Sequence, residues 1–205
     1  MTLTFYTNPM SRGRIVRWML EEVGHPYEAR LVDFGPAMKA PDYTALNPMG
    51  KVPTLVHDGR VVTEVAGILG YLAEAFPDAG LMPANRAGFW RWMFFGAGPV
   101  EHAVTNRALK VEVPPDRRGM VGYGCFEDVV ATLSGAVSHA PYLCGDAFSV
   151  VDVYVGSQIG YGLHFGSIPA EPALVAYWGR IKDRPAALRA QGIDDALLAE
   201  AKAHG

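Results

Sequence analysis

The first 78 residues alternate between two patterns of hydrophobic and polar positions. Short stretches that alternate residue by residue, or that are rich in β-branched residues, predict strands, whereas apolar positions recurring every three or four residues predict helices. The predicted elements are a strand over 3–7, a helix from Ser11 to Gly24, a strand over 27–33, a short helix over 41–46, strands over 52–57 and 60–63, and a helix over 64–76. This order predicts a mixed sheet covered by helices.

After residue 78 the sequence pattern changes from alternating strands and helices to helices alone. Residues 78–87 collect glycine, proline and asparagine between two regular patterns, which is typical of a linker. The segments beyond it that carry helical periodicity are 89–97, 100–111, 115–138, 150–163 and 173–183. We therefore predict an α/β domain over 1–78, a linker over 79–86 and an all-α domain over 87–205.

Two β-rich segments flank Asp58-Gly59 and predict a tight hairpin, because this dipeptide favours the turn conformations that hairpins need. Proline cannot donate a hydrogen bond to a sheet, so Pro53 at the start of the first segment predicts either an edge strand or a cis Val52–Pro53 bond. Both alternatives leave the backbone of Val52 unpaired. An unpaired strand backbone can hold an extended small peptide, and we expect a peptide-binding edge here.

Ser149 and Asp152 stand at the N-cap and N3 positions of a predicted helix, directly after the hydrophobic Phe148. A hydroxyl and a carboxylate at this spacing can each satisfy a peptide N–H of the other residue. The motif predicts a well-capped helix and a structural role rather than a chemical one.

Composition narrows the classes of function. With 205 residues, 50% of them hydrophobic, the chain can bury one sizeable core or two small ones. A formal net charge of −3 without a basic segment argues against nucleic-acid binding. The longest apolar stretches fall well below the roughly 20 residues of a membrane span. Met1 leads directly into a strand-like segment without a signal-peptide pattern, so we expect a cytoplasmic protein without a membrane partner.

Cys125 and Cys144 are the only cysteines of the sequence, and they show neither CxxC spacing nor the density of a disulfide scaffold. We interpret both as buried packing residues in a reducing compartment. The histidines show no metal-ligand spacing with acids or cysteines, so no metal is expected.

Four segments, taken together, resemble the cytosolic glutathione transferase family, and the resemblance covers nearly the whole chain. They are NPMSRGRIVRWMLEEVGHPYE near the N-terminus, NPMGKVPTLVHDGRVVTE around the hairpin, FSVVDVYV with its capping box, and YWGRIKDRPAALRA near the C-terminus. The resemblance, to a bacterial serine-type or related class, implies a thioredoxin-like N-terminal domain, an all-helical C-terminal domain and a homodimer. It also implies glutathione as co-substrate, a hydrophobic electrophile as second substrate and a role in detoxification.

The resemblance implies that the start of the first helix activates the glutathione thiol. A thiol with a pKa near about 8.5 is mostly protonated at neutral pH, so its thiolate needs a hydrogen-bond donor and positive potential. Alignment of the motif puts the activating residue at Met10 or Ser11, and we take Ser11 because it bears a hydroxyl. Arg12 is the accompanying cation. The alternatives are that Ser11 only caps the helix and that Arg12 is solvated.

The same resemblance implies a glutathione cradle around the hairpin. Val52, beside Pro53, would pair with the cysteinyl backbone of glutathione, and Glu64 would contact the γ-glutamyl amine. The N–H groups of the helix that starts at Val65 would receive the α-carboxylate. The cationic candidates for the other carboxylate are Lys39 and Lys51. Glu64 also fits the simpler role of a favourable carboxylate at a helix start, and Lys39 that of a solvated side chain.

Val65 departs from the commonest pattern of the family, in which a serine hydroxyl binds the γ-glutamyl carboxylate. Valine removes that donor and keeps only the backbone N–H. A lost hydrogen bond to a charged group costs roughly 1.5–3 kcal/mol, so we expect glutathione to bind about ten- to a hundredfold more weakly than usual.

His102 and Asn106 lie four residues apart on a predicted helix and therefore share a face. Together with Met10 they are the candidate electrophile-binding residues, although His102 also fits an ordinary helix-surface residue. The leading hypothesis is conjugation of the glutathione thiolate to hydrophobic electrophiles. The alternatives are a glutathione-dependent reductase, peroxidase or isomerase on the same fold, and a non-catalytic interaction protein that keeps the fold.

Overall fold

The computed structural model describes residues 2–203. The chain forms two compact units, of which one comprises the residues up to Ala79 together with those from Arg184 onward. The other unit comprises Gly80–Asp183. The predicted all-α domain over 87–205 differs in one respect, because its last segment packs with the unit that contains the sheet.

A four-stranded sheet forms the centre of the first unit, in the order β2-β1-β3-β4. Its strands are β1 (Leu3–Thr7), β2 (Glu28–Leu31), β3 (Thr54–His57) and β4 (Arg60–Thr63). β1 is parallel to β2 and antiparallel to β3, and β3 is antiparallel to β4. The helices of this unit are α1 (Gly13–Val23), α2 (Pro36–Lys39), α3 (Pro41–Thr44), α4 (Val65–Ala75) and the C-terminal α10 (Pro185–Ala203), with a 3-10 turn at Pro77–Ala79. The predicted mixed sheet covered by helices is confirmed.

The hydrophobic pattern explains how this unit forms its core. Alternate positions of β1 are buried, as in a strand that packs one face into a core. On α4 the buried positions recur every three or four residues, which is the pattern of a helix with one apolar face. The largest fully buried apolar side chains include Phe5, Ile15, Met19, Leu55, Ile68, Leu69 and Leu72. α1 and α4 also contact each other. The core therefore fixes the strands and helices from which the loops of this unit start.

The interpretation of residues 52–57 as an edge strand is wrong. Pro53 precedes β3, and β3 lies inside the sheet between β1 and β4. The other alternative holds, since the Val52–Pro53 bond is cis. Pro53 is buried one residue outside the strand ladder, so the sheet needs no donor from it.

The C-terminal helix α10 is the largest element that the sequence pattern does not predict. Its buried positions are the small Ala186 and Ala190 and the charged Asp194, so hydrophobic periodicity does not reveal the helix. It packs along α1, and at the centre of this contact Arg17 pairs with Asp194 at 2.9 Å with both side chains only 1% exposed. The further ion pairs between the two segments are Arg14–Asp195, Arg184–Glu22 and Arg189–Glu21. Charged contacts thus join α10 to α1.

The second unit is built from helices, which confirms the predicted all-helical region. They are α5 (Arg86–Phe95), α6 (Glu101–Ala108), α7 (Phe126–His139), α8 (Val150–Phe165) and α9 (Pro172–Ile181), with a π-helical turn at Gly96–Val100 and a 3-10 turn at Pro115–Met120. α8 is buried along most of its length and contacts α5 and α9. Gly160 permits this close packing, because a Cβ there would lie 2.6 Å from the Trp178 ring. No helix within residues 2–203 is long and apolar enough to cross a membrane.

Asp152 anchors the start of α8. It forms the reciprocal capping box with Ser149, whose backbone N–H donates to the carboxylate at 2.9 Å. The same carboxylate accepts from the Leu143 N–H at 2.9 Å and from the Tyr177 hydroxyl at 2.7 Å. Burial raises the pKa of this carboxyl, and the three donors oppose that rise. The motif therefore ties the beginning of α8 to the segment before it and to α9.

The remaining differences from the predicted elements are local. The predicted helix over 115–138 is interrupted, because Gly124 takes a φ of 67° and α7 begins only at Phe126. α2 is not predicted, and β2 covers only part of the predicted strand over 27–33.

The buried ion pair between Arg17 and Asp194 generates a stability prediction. Asp194→Asn leaves the Arg17 guanidinium buried without its counter-charge, and we expect the free energy of unfolding to fall by about 3–5 kcal/mol. Asp195→Asn is the matched control, because Asp195 is 51% exposed and an exposed pair contributes about 0–1 kcal/mol. Urea denaturation measures both losses. Equal, small losses in the free energy of unfolding for the two variants would contradict the stabilising role of the buried Arg17–Asp194 pair.

Candidate functional site

The strand register brings three loops of the first unit to one end of the sheet. Thr54 at the start of β3 pairs with Tyr6 near the end of β1 and with Thr63 at the end of β4. Neighbouring strands lie about 4.8 Å apart, so segments that leave the sheet from paired residues emerge side by side. The segments that leave here are residues 8–12, Val52–Pro53 and Glu64. The structure therefore brings together the main glutathione-site candidates of the sequence.

Ser11 lies in a tight turn between β1 and α1. Its Oγ donates to the Asn8 carbonyl at 2.7 Å and accepts from the Gly13 N–H at 2.9 Å. The Asn8 side chain braces the turn, because its Nδ2 donates to the Val32 carbonyl and its Oδ1 accepts from the Met10 N–H. The hydroxyl thus supports the start of α1, and it must turn its O–H away from the Asn8 carbonyl before it can donate a hydrogen bond to a thiolate.

Gly13 fixes the position of Ser11 and was not singled out by sequence reasoning. A Cβ at Gly13 would overlap the Thr7 hydroxyl and would lie 2.9 Å from Ser11 Oγ. Any other residue there would push against the Ser11 side chain, so the turn requires glycine for space. The two residues next to Ser11 in the chain are exposed: Met10 is 68% exposed, and Arg12 is also exposed.

Val52 presents its backbone because its side chain is held elsewhere. The side chain packs against a small cluster formed by Val32, Met38 and Tyr43. Within residues 2–203, neither the N–H nor the carbonyl of Val52 makes a hydrogen bond. An extended peptide could therefore pair with these two groups, as the sequence predicts.

Two buried side chains that sequence reasoning missed hold the residue before Val52. The Lys51 carbonyl accepts from the Tyr43 hydroxyl at 2.7 Å and from Asn47 Nδ2 at 2.8 Å. Both side chains also reach Thr54 Oγ1, at 3.0 and 3.3 Å. They connect α3 and the loop after it to the start of β3. The sequence around Asn47 offers only the dipeptide Asn47-Pro48, which is typical of a loop and points to no partner.

The two predicted lysines differ in their surroundings. Lys39 Nζ donates to the carbonyls of Met49 and Gly50 at 2.8 and 3.1 Å, so its ammonium holds the loop that leads to Lys51. Gly50 leaves room for this contact, since a Cβ there would lie 2.9 Å from Lys39 Cδ. Lys51 is exposed at the end of the same loop. Of the two, Lys51 is the better placed to reach an external carboxylate.

Glu64 stands between β4 and α4 in a strained backbone conformation. Its φ of 65° and ψ of 125° are rare for a residue with a side chain, and its side chain is exposed. Strained residues of this kind cluster at binding and active sites. The first N–H groups of α4 begin at Val65 and have no partner within the helix, which suits an anion. Val65 supplies no hydroxyl to add to them.

The electrophile candidates His102 and Asn106 lie on one face of α6 in the second unit. His102 is exposed, with Nδ1 2.9 Å from the Gly98 carbonyl, and Asn106 Nδ2 donates to the Tyr123 hydroxyl at 3.0 Å. The π-helical turn before α6 supplies the Gly98 carbonyl, and such turns are frequent at functional sites.

The cysteines do not take part in this arrangement. The prediction that both are buried is wrong, since Cys125 and Cys144 are partly exposed. Burial nevertheless raises the pKa of the Cys144 thiol to about 11, which keeps it protonated at neutral pH. In the described part of the chain, no group of three or more histidine, cysteine or acidic side chains is placed to hold a metal ion.

Comparison with known proteins gives a consistent result. The family model described as the N-terminal domain of glutathione S-transferase matches residues 10–75. Among curated proteins, the stringent starvation protein A homolog of Pasteurella multocida is 28% identical over 87% of this chain and 84% of that protein. Glutathione S-transferase GstA of Escherichia coli O157:H7 is 26% identical over 78% of each chain.

Solved structures are similar over almost the whole chain. A glutathione transferase from Methylococcus capsulatus has a TM-score of 0.78 at 27% identity, covering 95% of this chain and 100% of its own. A sphingomonad glutathione S-transferase complexed with glutathione has a TM-score of 0.74 at 28% identity, covering 94% and 98%.

The fold is thus a thioredoxin-like α/β unit with a helical C-terminal region, as predicted. Residues 10–75 match the N-terminal domain of glutathione S-transferase, and the chain as a whole is similar to cytosolic glutathione S-transferases in sequence and fold.

The strain at Glu64 generates a second stability prediction. Glu64→Gly relieves the positive φ, and we expect the free energy of unfolding to stay equal or to rise by up to about 1 kcal/mol. Glu64→Ala removes the same carboxylate but keeps the strain, so no such gain is expected. Glu74→Gly, at an exposed position of α4, is the control and should lose roughly 0.5–1 kcal/mol. Thermal denaturation compares the stabilities of the three variants. Similar losses of stability for Glu64→Gly and Glu74→Gly would refute backbone strain at Glu64.

Proposed function

We propose that this protein is a glutathione transferase that binds glutathione at the end of the sheet and conjugates its thiolate to hydrophobic electrophiles. The observation that carries the proposal is the register at Thr54, which brings the Ser11 turn, the unpaired backbone of Val52 and the strained Glu64 to one place. The family supports the same assignment, and one structural neighbour is complexed with glutathione.

Glutathione fits this end of the sheet as an extended tripeptide. Its cysteinyl backbone pairs with the N–H and carbonyl of Val52, since these groups make no hydrogen bond within residues 2–203. Glu64 binds the γ-glutamyl amine, and the first N–H groups of α4, beginning at Val65, receive the adjacent carboxylate. Lys51 neutralises the glycyl carboxylate, while Lys39 holds the loop that positions it.

The chemistry is ionisation of the thiol followed by displacement. The thiol loses its proton to water, and the thiolate accepts a hydrogen bond from Ser11 beside the N-terminus of α1, where the helix dipole and Arg12 add positive potential. The sulfur then attacks an electrophilic carbon. With an aryl halide, the C–S bond forms, the carbon–halogen bond breaks, and the halide leaves with the electron pair.

Met10 is proposed to contact the electrophile, because its exposed apolar side chain lies beside Ser11. His102 and Asn106 stay candidate electrophile residues in the second unit, as polar groups on one face of α6. The homodimer, the cytoplasmic location and the role in detoxification form part of the same proposal and rest on the family.

A second candidate is a non-catalytic interaction protein. Two observations favour it: the Ser11 hydroxyl already donates its hydrogen bond to the Asn8 carbonyl, and Val65 lacks the usual hydroxyl. A third group of candidates comprises glutathione-dependent reductase, peroxidase and isomerase activities, which use the same residues.

Calorimetric titration with glutathione, followed by assays on a panel of activated aryl halides, separates these candidates. Saturable binding with turnover supports the transferase, and binding without turnover points to the reductase, peroxidase or isomerase group. No heat at millimolar glutathione would leave only the interaction protein.

Val65→Ser tests the binding mode. A serine hydroxyl at the first residue of α4 can donate to the γ-glutamyl carboxylate, so we expect the dissociation constant for glutathione to fall about ten- to a hundredfold. Val61→Ser, at an exposed position of β4, is the matched control and should leave the constant unchanged. Calorimetry gives both values. An unchanged constant for Val65→Ser would show that the carboxylate does not sit at the start of α4.

Ser11→Ala tests the thiol contact. We expect the conjugation rate to fall about a hundredfold, as for removal of one donor from a developing anion, with a stability loss of about 1 kcal/mol from the lost hydrogen bond to the Gly13 N–H. Ser11→Thr keeps a hydroxyl and should retain more of the rate. Ser138→Ala removes an exposed helix hydroxyl that donates to Ser134 and serves as the control. A Ser11→Ala variant with the wild-type rate would exclude the hydroxyl from thiol activation.

A further inference from the structure

One arginine links the Ser11 turn to the C-terminal helix. Arg14 Nε donates to the Pro9 carbonyl at 2.6 Å, and Arg14 Nη2 donates to Asp195 Oδ1 at 2.7 Å. Pro9 lies in the turn between Asn8 and Ser11, whereas Asp195 lies on α10. A single guanidinium therefore spans the distance from the proposed thiol-activating turn to a helix at the other end of the sequence.

The shape of the guanidinium suits this bridge, formed by Arg14 between Pro9 and Asp195, to positioning the turn. Its N–H groups form a rigid planar fork, so fixing one N–H on Asp195 also fixes the direction of Nε toward Pro9. A lysine in the same place would keep the charge but would lose this fixed pair of directions. The Arg14 and Asp195 side chains are 22% and 51% exposed, so the pair contributes little to stability.

Two further ion pairs between these segments, Arg184–Glu22 and Arg189–Glu21, lie away from the turn. Arg184 pairs with Glu22 through two hydrogen bonds of 2.7 and 2.9 Å, at the C-terminal end of α1. This pair also joins the C-terminal segment to α1, but at the end of α1 that lies away from the Ser11 turn. It provides an internal comparison for any effect of simply loosening the C-terminal helix.

We propose that Arg14 and Asp195 are positioning residues that hold the Ser11 turn in the geometry that ionises glutathione, with α10 as the fixed support. This inference rests on the proposed function and adds a residue on a distant helix to the site. Neither residue needs to touch glutathione, because both act through the Pro9 carbonyl and the turn that it belongs to.

Two variants separate a positioning role from a simple effect of charge on the glutathione thiol. Arg14→Lys keeps the positive charge, so a charge effect predicts no change, whereas loss of the fork predicts a looser turn. Asp195→Asn removes a negative charge, so a charge effect predicts a lower pKa for a nearby thiol, whereas loss of the bridge predicts a higher one. A positioning role therefore predicts impairment in both variants.

The experiment titrates the thiol of bound glutathione by ultraviolet absorbance against pH, and measures kcat and KM with an activated aryl halide. We expect Arg14→Lys and Asp195→Asn to raise the apparent thiol pKa and to lower kcat about three- to tenfold, with a KM for glutathione within about twofold of wild type. Asp195→Glu should recover part of the loss. Glu22→Gln breaks the Arg184–Glu22 pair and should match the wild type, and thermal denaturation confirms that all variants remain folded.

The outcomes separate this inference from the proposed function. A wild-type protein that ionises glutathione, beside Arg14→Lys and Asp195→Asn variants with an unchanged or lower thiol pKa, would overturn the positioning role alone. Equal impairment by Glu22→Gln would also overturn it, because any loosening of the C-terminal helix would then suffice. Failure of the wild type to bind glutathione would overturn the proposed function, and this inference with it.

Discussion

Backbone pairing at the start of β3 is the constraint on which the candidate site depends. Thr54 pairs with Tyr6 on one side and with Thr63 on the other. Since adjacent strands lie about 4.8 Å apart, the turn after β1, the segment before β3 and the residue after β4 leave the sheet side by side. No single loop carries the site, and a shift of one residue in this register would turn the side chains to the opposite face of the sheet.

Buried polar side chains keep these loops in shape while leaving backbone groups available. Asn8 connects the turn after β1 to the residue that follows β2, and Tyr43 and Asn47 hold the carbonyl that precedes Val52. Glu64, the residue after β4, has a strained backbone with a φ of 65°. A rigid frame with open backbone donors and acceptors suits an extended peptide, because the frame loses little conformational entropy when the peptide binds.

Similarity to a family and the chemistry of the site are separate questions for this protein. The same fold can carry different functions, and the function depends on the site. Here the fold is that of the glutathione S-transferases, yet Val65 lacks a hydroxyl and the Ser11 hydroxyl donates its hydrogen bond to the Asn8 carbonyl. Ser11 and Val65 both lie at helix starts outside the hydrophobic core, so the fold can be kept while the chemistry of the site differs.

Local patterns in the sequence determined the order of elements in the first 78 residues and the capping box at Ser149. Strand alternation, the Asp58-Gly59 turn and the capping motif depend on residues close together in the chain, so they can be recognised without a structure. Together with the family resemblance, they located the loops that contain Ser11, Val52 and Glu64.

Only the tertiary structure decided the place of β3 inside the sheet, the support of the Val52 segment and the role of α10. Strand order depends on pairing between distant segments, and the buried partners Arg17 and Asp194 are 177 residues apart. The buried face of α10 consists of small and charged residues and carries no hydrophobic periodicity. Polar contacts between distant segments leave no periodic signal in a sequence, because their partners are matched in space and not along the chain.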